Sequence, residues 1–175
     1  MCEEKSKIGK VKENKFSQVY FISLQENESA KSIAKKTELL FDKTKLFSFI
    51  SAKKIVGIKQ HFGEKGNKGY IKPEITKKFI DLVKHKKGKP LLIETNTLYK
   101  GERSNSYDHI ILANKHGFSI ENVGAPIVIV DGLNGQNQTA IPISGIHFKK
   151  VYIASDIPFL DSMIILSHTK GHIAT

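Results

Sequence analysis

The sequence feature that most constrains the fold is a series of short apolar runs, of which the first three are separated by longer segments with helical periodicity. Predicted strands built on these runs occupy residues 54–60, 90–95, 125–131 and 162–167, and the runs IVIV and MIIL are continuously apolar. Continuously apolar runs of this length are typical of strands buried in a parallel sheet. Strands that alternate with helices favour an α/β fold. We therefore predict one α/β domain with a mainly parallel sheet and helices on both faces.

Helix signals lie between these runs, and further strand signals lie outside them. Serine, proline and glycine at the expected ends predict helices over residues 29–44, 73–88 and 104–116, the last closed by Gly117. A first strand is predicted at residues 18–24, because β-branched and aromatic residues dominate there. Residues 139–153 predict a β-hairpin insert around Gly145, and a short helical turn is expected near Ile157.

Composition limits the class of protein and its surroundings. No apolar run approaches the roughly 18 residues that a membrane helix needs, and the charged N-terminus has no signal-peptide core. We therefore expect a cytoplasmic protein without a membrane partner, with a flexible basic tail at 1–17 and a single domain at 18–175. Cys2 is the one cysteine, so this chain alone cannot supply a disulfide framework or an iron–sulfur cluster.

The net charge of +11 is concentrated in the first half of the chain. Residues 31–89 hold seventeen lysines and five acidic residues, a net charge of +12. A phosphate-rich partner is one interpretation, and lysine-rich solvated helix faces are the other. We favour the second, because 27 of the 28 basic residues are lysine and specific readers of nucleic acid normally use arginine as well.

Polar residues follow the predicted strands at the points where ligands bind in open parallel sheets. The candidates are His61 after the second strand, Asn96 after the third, Asp131 after the fourth and His168 after the last. Each has a structural alternative, since Asn96 and Asp131 also suit turns and a histidine can simply end a strand. The group as a whole points to a site more strongly than any member does.

Two kinds of ligand are compatible with these residues. A divalent metal would use His61, Asp131, His168 and His172, although no tight motif such as H-E-x-x-H supports it. An anion would use Asn96 and three basic residues: Lys65 of the glycine-rich loop 63–69, Arg103 and Lys170. The alternatives are a loose surface loop and a surface ion pair between Arg103 and Glu102.

Several motifs occur together in an order that resembles the domain of unknown function 362 family. They are HFGEKGN at 61–67 with Tyr70, Ile71 and Pro73, TNTLY at 95–99, RSN at 103–105, GAP at 124–126, DG at 131–132, HFKK at 147–150 and SHTKGH at 167–172. The resemblance implies an α/β fold and an association with iron–sulfur or ferredoxin-like proteins. Relatives usually continue into cysteine-rich motifs, so this chain is expected to be a truncated, N-terminal part of that pattern. The site residues that the resemblance carries over are His61, Asn96, Arg103, Asp131, His168, Lys170 and His172.

The leading hypothesis is a ligand-binding α/β domain that holds an anionic small molecule or a metal at the carboxyl ends of its strands. If it is catalytic, His61 or His168 would be the acid or base, Asp131 the orienting carboxylate, and Arg103 and Lys170 the anion clamp. The alternatives are a non-catalytic interaction protein that needs a partner and a basic, non-specific nucleic-acid binder. An apolar last strand with little sequence after it also predicts self-association, or a partner chain, at the C-terminal strand.

Overall fold

The computed structural model describes residues 19–43 and 47–169. Their helices are α1 (Ala30–Lys43), α2 (Pro73–His85), α3 (Ser106–Lys115) and α4 (Ile120–Val123), and a 3-10 turn spans Ile157–Phe159. Their strands are β1 (Ile55–Lys59), β2 (Lys89–Glu94), β3 (Ile127–Ile129), β4 (Gln138–Pro142), β5 (Lys150–Ala154) and β6 (Ser162–Ile165).

The main sheet has four strands in the order β3-β2-β1-β6, and every neighbouring pair is parallel. The register places Ile58 beside Leu92 on one side and beside Ile164 on the other. Strands β4 and β5 form a separate antiparallel pair. The predicted α/β fold, with a mainly parallel sheet and a hairpin near residues 139–153, is therefore confirmed.

One face of the sheet forms the core together with α2. Side chains alternate between the two faces of a strand, so Val56, Ile58 and Leu92 share a face. They are fully buried with Ile80 and Val83 of α2. The apolar positions of α2 recur at helical spacing, and burying that stripe against the sheet is what stabilises the helix in a globular protein.

The opposite face shows why β1 contains a glycine. A Cβ atom at Gly57 would lie 2.6 Å from Cδ1 of Leu160 and 3.0 Å from Cδ1 of Ile93. The leucine follows the 3-10 turn that leads into β6 and packs directly over the backbone of β1. Glycine therefore lets the connection before β6 approach the sheet closely.

The helix ends follow the predicted signals with one change. Asn105 caps α3 by accepting a hydrogen bond from the backbone N–H of Asp108 at 3.0 Å. Gly117 follows α3 with a φ of +92°, as expected of a glycine that ends a helix. After α2, however, Lys87 takes the left-handed conformation with a φ of +60°. The left-handed residue after α2 is therefore Lys87, one position before the glycine at 88 that was expected to end the helix.

The predicted first strand is wrong for the residues that the structure describes. Residues 19–25 are not in a strand, and Val19, Tyr20 and Leu24 line an apolar cavity next to α1. Apolar β-branched and aromatic residues suit a strand and also a segment that packs on an apolar surface, so composition alone did not separate the two. The short helix α4, by contrast, was not predicted.

Strand β6 lies at the edge of the sheet. Ile164 is buried, whereas Met163 and Ile165 are 39% and 60% exposed. The prediction of self-association through this strand stays a prediction, and the edge position agrees with its premise. Among the described residues, no helix combines the length and the apolar content needed to span a lipid bilayer.

Candidate functional site

The candidate site lies along the carboxyl edge of the main sheet. Since all four strands are parallel, the residues that follow them emerge at this one edge. His61 follows β1 and His168 follows β6, the strand paired with β1. Their imidazole rings have centroids 6.4 Å apart and planes inclined by 71°. Two predicted site residues are therefore brought together by the pairing of strands that lie more than 100 residues apart in the chain.

The glycine-rich loop 63–69 flanks the two histidines. A Cβ atom at Gly69 would lie 3.7 Å from Cε1 of His168. Next to Gly69, the Tyr70 ring stacks on His116 with centroids 5.0 Å apart. Nδ1 of His116 lies 2.8 Å from the carbonyl oxygen of Phe62. These contacts hold both ends of the loop against the body of the protein.

Asp131 joins the ends of β3 and β2. Its carboxylate accepts hydrogen bonds from the backbone N–H of Asn96 at 2.9 Å and from its side-chain amide at 3.0 Å. The same amide donates to the carbonyl oxygen of Gly132 at 2.8 Å. Burial raises the pKa of the Asp131 carboxyl, and the hydrogen bonds from Asn96 oppose this shift only in part.

A charged network supports the loop and is centred on the buried side chain of Arg103. The guanidinium contacts the carboxylate of Glu64 at 2.5 Å and that of Glu94 at 3.7 Å, and its Nε lies 3.3 Å from Nε2 of His109. Lys59 reaches the other oxygen of Glu94 at 3.3 Å. The charge of Arg103 is thus compensated by the carboxylates of Glu64 and Glu94. The alternative considered from the sequence was a surface ion pair with Glu102, whose carboxylate pairs with Lys65 instead.

Tyr99 adds a further hydrogen bond to this network. Its hydroxyl group donates to the Glu64 carboxylate that also accepts from Arg103. Burial raises the pKa of Glu64, but the hydrogen bonds from Tyr99 and Arg103 outweigh it and leave the pKa below its ordinary value. The same hydrogen bond raises the pKa of Tyr99. Glu64 is therefore an ionised anchor for the loop that carries it.

His109 is the neutral member of the network. Burial first, and the positive charge of Arg103 second, lower its pKa from 6.5 to about 4. Because Nε of Arg103 is a donor, Nε2 of His109 must be the acceptor, which places the imidazole proton on Nδ1. A second proton on this ring would remove the acceptor and put two cations side by side.

We expect this histidine to make the protein sensitive to acid. Since the pKa is lower in the folded state, the unfolded chain takes up the proton first, and stability falls as pH drops from about 6.5 to about 4. The loss is at most about 3 kcal/mol. In His109→Gln the amide oxygen can still accept from Arg103 and does not titrate, so urea unfolding of this variant should show a smaller decrease between pH 6.5 and 4. An unchanged pH profile would contradict the assignment.

Several buried polar atoms at this edge have no hydrogen-bond partner among the residues that the structure describes. They are Nε2 of Gln60, Oε2 of Glu94, Oδ1 of Asn96 and Nδ1 of His109. Gln60 is 1% exposed, and its amide oxygen accepts from the hydroxyl of Thr76 at 2.6 Å, which fixes the orientation of the amide. An unsatisfied buried donor costs about 1–3 kcal/mol, so the unpaired groups of Gln60 and Asn96 mark this edge as a place that suits a polar ligand.

Three further residues were predicted for the site. Lys65 is exposed at the surface and pairs with Glu102 at 3.0 Å. Lys170 and His172 lie outside the described residues. Within residues 19–43 and 47–169, no group of three histidine, cysteine, aspartate or glutamate side chains is arranged to hold a metal ion.

Sequence reasoning missed most of the buried network and the Gln60 amide. Glu64, Tyr99 and His109 carry no local signal, because their partners are distant in the chain. Glu94 did carry a signal, since a carboxylate at the end of an apolar run such as LLIE must find a cation if it is buried. Gln60 could have been noticed in the same way, directly after β1.

These features define a parallel α/β protein with a candidate ligand site at the carboxyl ends of its strands. A family model for a domain of unknown function (DUF362) matches residues 56–175, a span that contains nearly all of the main sheet and every candidate residue of the site. The chain belongs to this family. No curated protein and no solved structure matches the chain significantly.

Proposed function

We propose that this protein binds an anionic small molecule at the carboxyl edge of its sheet, with His61 and His168 in contact with the anion. The observation that carries the proposal is the approach of these two imidazoles, 6.4 Å between centroids, at the ends of paired parallel strands. Ligands of open parallel sheets bind beyond this edge. Imidazole N–H groups donate hydrogen bonds to anions.

The carboxylates at this edge already have partners, which disfavours their use as ligands of a cation. Arg103 pairs with Glu64 and Glu94, and Lys59 lies beside Glu94. Asn96 provides two N–H donors to Asp131. The buried amide N–H of Gln60, directly before His61, has no acceptor among the described residues, and a donor of this kind suits an acceptor-rich ligand.

The same geometry allows acid–base chemistry on the bound molecule. A ligand oxygen between two rings at this separation can exchange a proton with either, which is the arrangement required of a general acid and base. Asp131 lies at the end of β3, separated from β1 by β2, so in this proposal it orients Asn96 and does not contact the histidines directly. Since no substrate is identified, we propose binding and name no reaction.

Two more specific functions, metal binding and an association with iron–sulfur proteins, have less support. A metal held by His61 and His168 needs at least one further ligand, and none joins them within the described part of the chain. The association with iron–sulfur proteins rests on the family resemblance alone. Since this sequence has one cysteine, Cys2, we propose no cluster bound by this chain.

Pyrophosphate is a suitable probe for the proposed anion site. Titration of the full chain should shift the ring resonances of His61 and His168 in histidine-selective NMR spectra. Each of His61→Ala and His168→Ala should weaken binding about tenfold, because a hydrogen bond to a charged group contributes about 1.5–3 kcal/mol. Isothermal titration calorimetry would measure the change in affinity.

His147→Ala is the matched control. This histidine is exposed in the segment between β4 and β5, so its removal should leave the affinity unchanged. If the two site variants bind pyrophosphate as tightly as the wild type, the anion is held by surface lysines and the proposed site is wrong. The same conclusion would follow if His147→Ala weakened binding equally.

A further inference from the structure

A cavity of about 890 Å³ lies beside His168, between α1, α2 and the end of β6. Its walls are mainly apolar. They include Ile33, Leu40 and Phe41 of α1, Ile75 and Phe79 of α2, and Leu166 after β6. The volume is within the range of about 300–1,000 Å³ that is usual for small-molecule sites, and such sites combine apolar walls with a few polar groups.

One end of this cavity, beside the glycine-rich loop 63–69, carries several polar groups. His168 lies there, where a Cβ atom at Gly69 would be 3.7 Å from its Cε1, and Ser167 and Lys72 also line the cavity. The ammonium group of Lys72 lies 3.7 Å from the centre of the Tyr70 ring and donates to the carbonyl oxygen of Lys68 at 2.7 Å. An ammonium group has three N–H donors, so Lys72 retains donors for a ligand at this end.

The acidic group that lines the cavity does not oppose an anion. Glu28 pairs with Lys36 at 2.7 Å and accepts a hydrogen bond from the hydroxyl of Ser32. Hydrogen bonds from these two side chains lower the pKa of Glu28 to about 2. The hydroxyl of Thr37 is also used, since it donates to the carbonyl oxygen of Ile33. Among the described residues that line the cavity, the charge that remains available is thus that of Lys72, which is positive.

We infer that the anionic ligand carries an aliphatic chain, with its acidic group at His168 and Lys72 and its chain in the apolar cavity. The inference rests on the proposed function and narrows its ligand to the class of aliphatic monocarboxylates. His168 connects the two parts of the site, because it both pairs with His61 and lines the cavity. A fully polar anion would leave the apolar walls in contact with water, whereas an aliphatic chain would cover them.

The length of the aliphatic chain is the first test. Isothermal titration calorimetry with octanoate, decanoate and dodecanoate, each below its micellar concentration, should show an affinity that rises about fourfold for each added methylene group. Leu40→Trp would fill part of the cavity and should abolish this dependence. Leu39→Trp is the matched control, because Leu39 is the next residue on α1, is 51% exposed and does not line the cavity.

The position of the acidic group is the second test. Dodecanol should bind more weakly than dodecanoate by at least tenfold, and His168→Gln should reduce this difference without changing the affinity for dodecanol. Equal affinities of the acid and the alcohol would overturn the assignment of the acidic group. Equal effects of Leu40→Trp and Leu39→Trp would overturn the assignment of the cavity.

The outcomes also separate this inference from the function on which it rests. Pyrophosphate binding that depends on His61 and His168, together with carboxylate binding that does not vary with chain length, would retain the anion site and reject the aliphatic ligand. A second copy of the chain is the other occupant to exclude. Analytical ultracentrifugation would detect a concentration-dependent dimer. If Leu40→Trp dissociated this dimer and Leu39→Trp did not, the cavity would be filled by a partner chain, and the aliphatic ligand would be rejected.

Discussion

Replacement of Arg103 by leucine should lower the free energy of unfolding by about 3–5 kcal/mol, which is the usual cost of removing one partner from a buried ion pair. Arg103 is 9% exposed, and Glu94, one of its two carboxylate partners, is 3% exposed. Without the guanidinium, Glu94 would retain Lys59 and the backbone N–H of Thr95, and Glu64 would retain the hydroxyl of Tyr99. Chemical unfolding in urea would measure the difference.

Lys65→Leu provides the matched control for this variant. Lys65 and Glu102 also form an ion pair, at 3.0 Å, but the lysine is exposed. Exposed pairs contribute about 0–1 kcal/mol, because solvent screens them. If Arg103→Leu were no more destabilising than Lys65→Leu, the network would not stabilise the fold, and the proposal that Arg103 anchors the loop through Glu64 would be contradicted.

The comparison of Arg103→Leu with Lys65→Leu also tests whether Arg103 acts on the anion directly or by supporting the loop. Its predicted role was that of an anion clamp, whereas its contacts in the structure are with two carboxylates of the protein. As a residue that positions the loop, Arg103 should affect anion binding only through the fold. Arg103→Lys can restore a charge but not the hydrogen bond from Nε to His109, so it should recover part of the stability.

The fold could be predicted from the sequence because its signals are local. An apolar run followed by a helix with one apolar stripe gives a βα unit wherever it occurs, and β1, α2, β2 and α3 follow this pattern. The segment 18–24 has the composition of a strand but, within 19–25, no strand partner. Pairing depends on what lies beside a segment, which the segment itself does not encode.

The site could be predicted only as far as topology determines it. A parallel sheet brings the carboxyl ends of its strands to one edge, so the alternation of strands and helices is enough to place His61 and His168 there. The sequence could not show which strands are neighbours, and the order β3-β2-β1-β6 is what separates Asp131 from the two histidines. The network around Arg103 depends on a contact between residues 39 positions apart, for which no local pattern exists.

The loop that flanks the site also depends on a glycine, Gly63. Gly63 has a φ of +91°, a conformation that costs other residues about 1–3 kcal/mol. A Cβ atom there would also lie 2.5 Å from Cδ1 of Tyr70 and 3.0 Å from Nδ1 of His116. Those two rings stack on each other, so neither can move without breaking the contact. Gly63→Ala should therefore lower the free energy of unfolding by about 2–5 kcal/mol.

Gly66→Ala separates the cost of backbone strain from the cost of steric overlap with the two rings. Gly66 lies in the same loop with a φ of +75°, but a Cβ atom at this position would have no neighbour within 4 Å. Its replacement should cost only the backbone strain, about 1–2 kcal/mol. Because Tyr70 lines the cavity and lies beneath the ammonium group of Lys72, Gly63→Ala should also weaken the binding of dodecanoate, whereas Gly66→Ala should not. Equal losses of stability and affinity in the two variants would show that the stacked rings do not support the site.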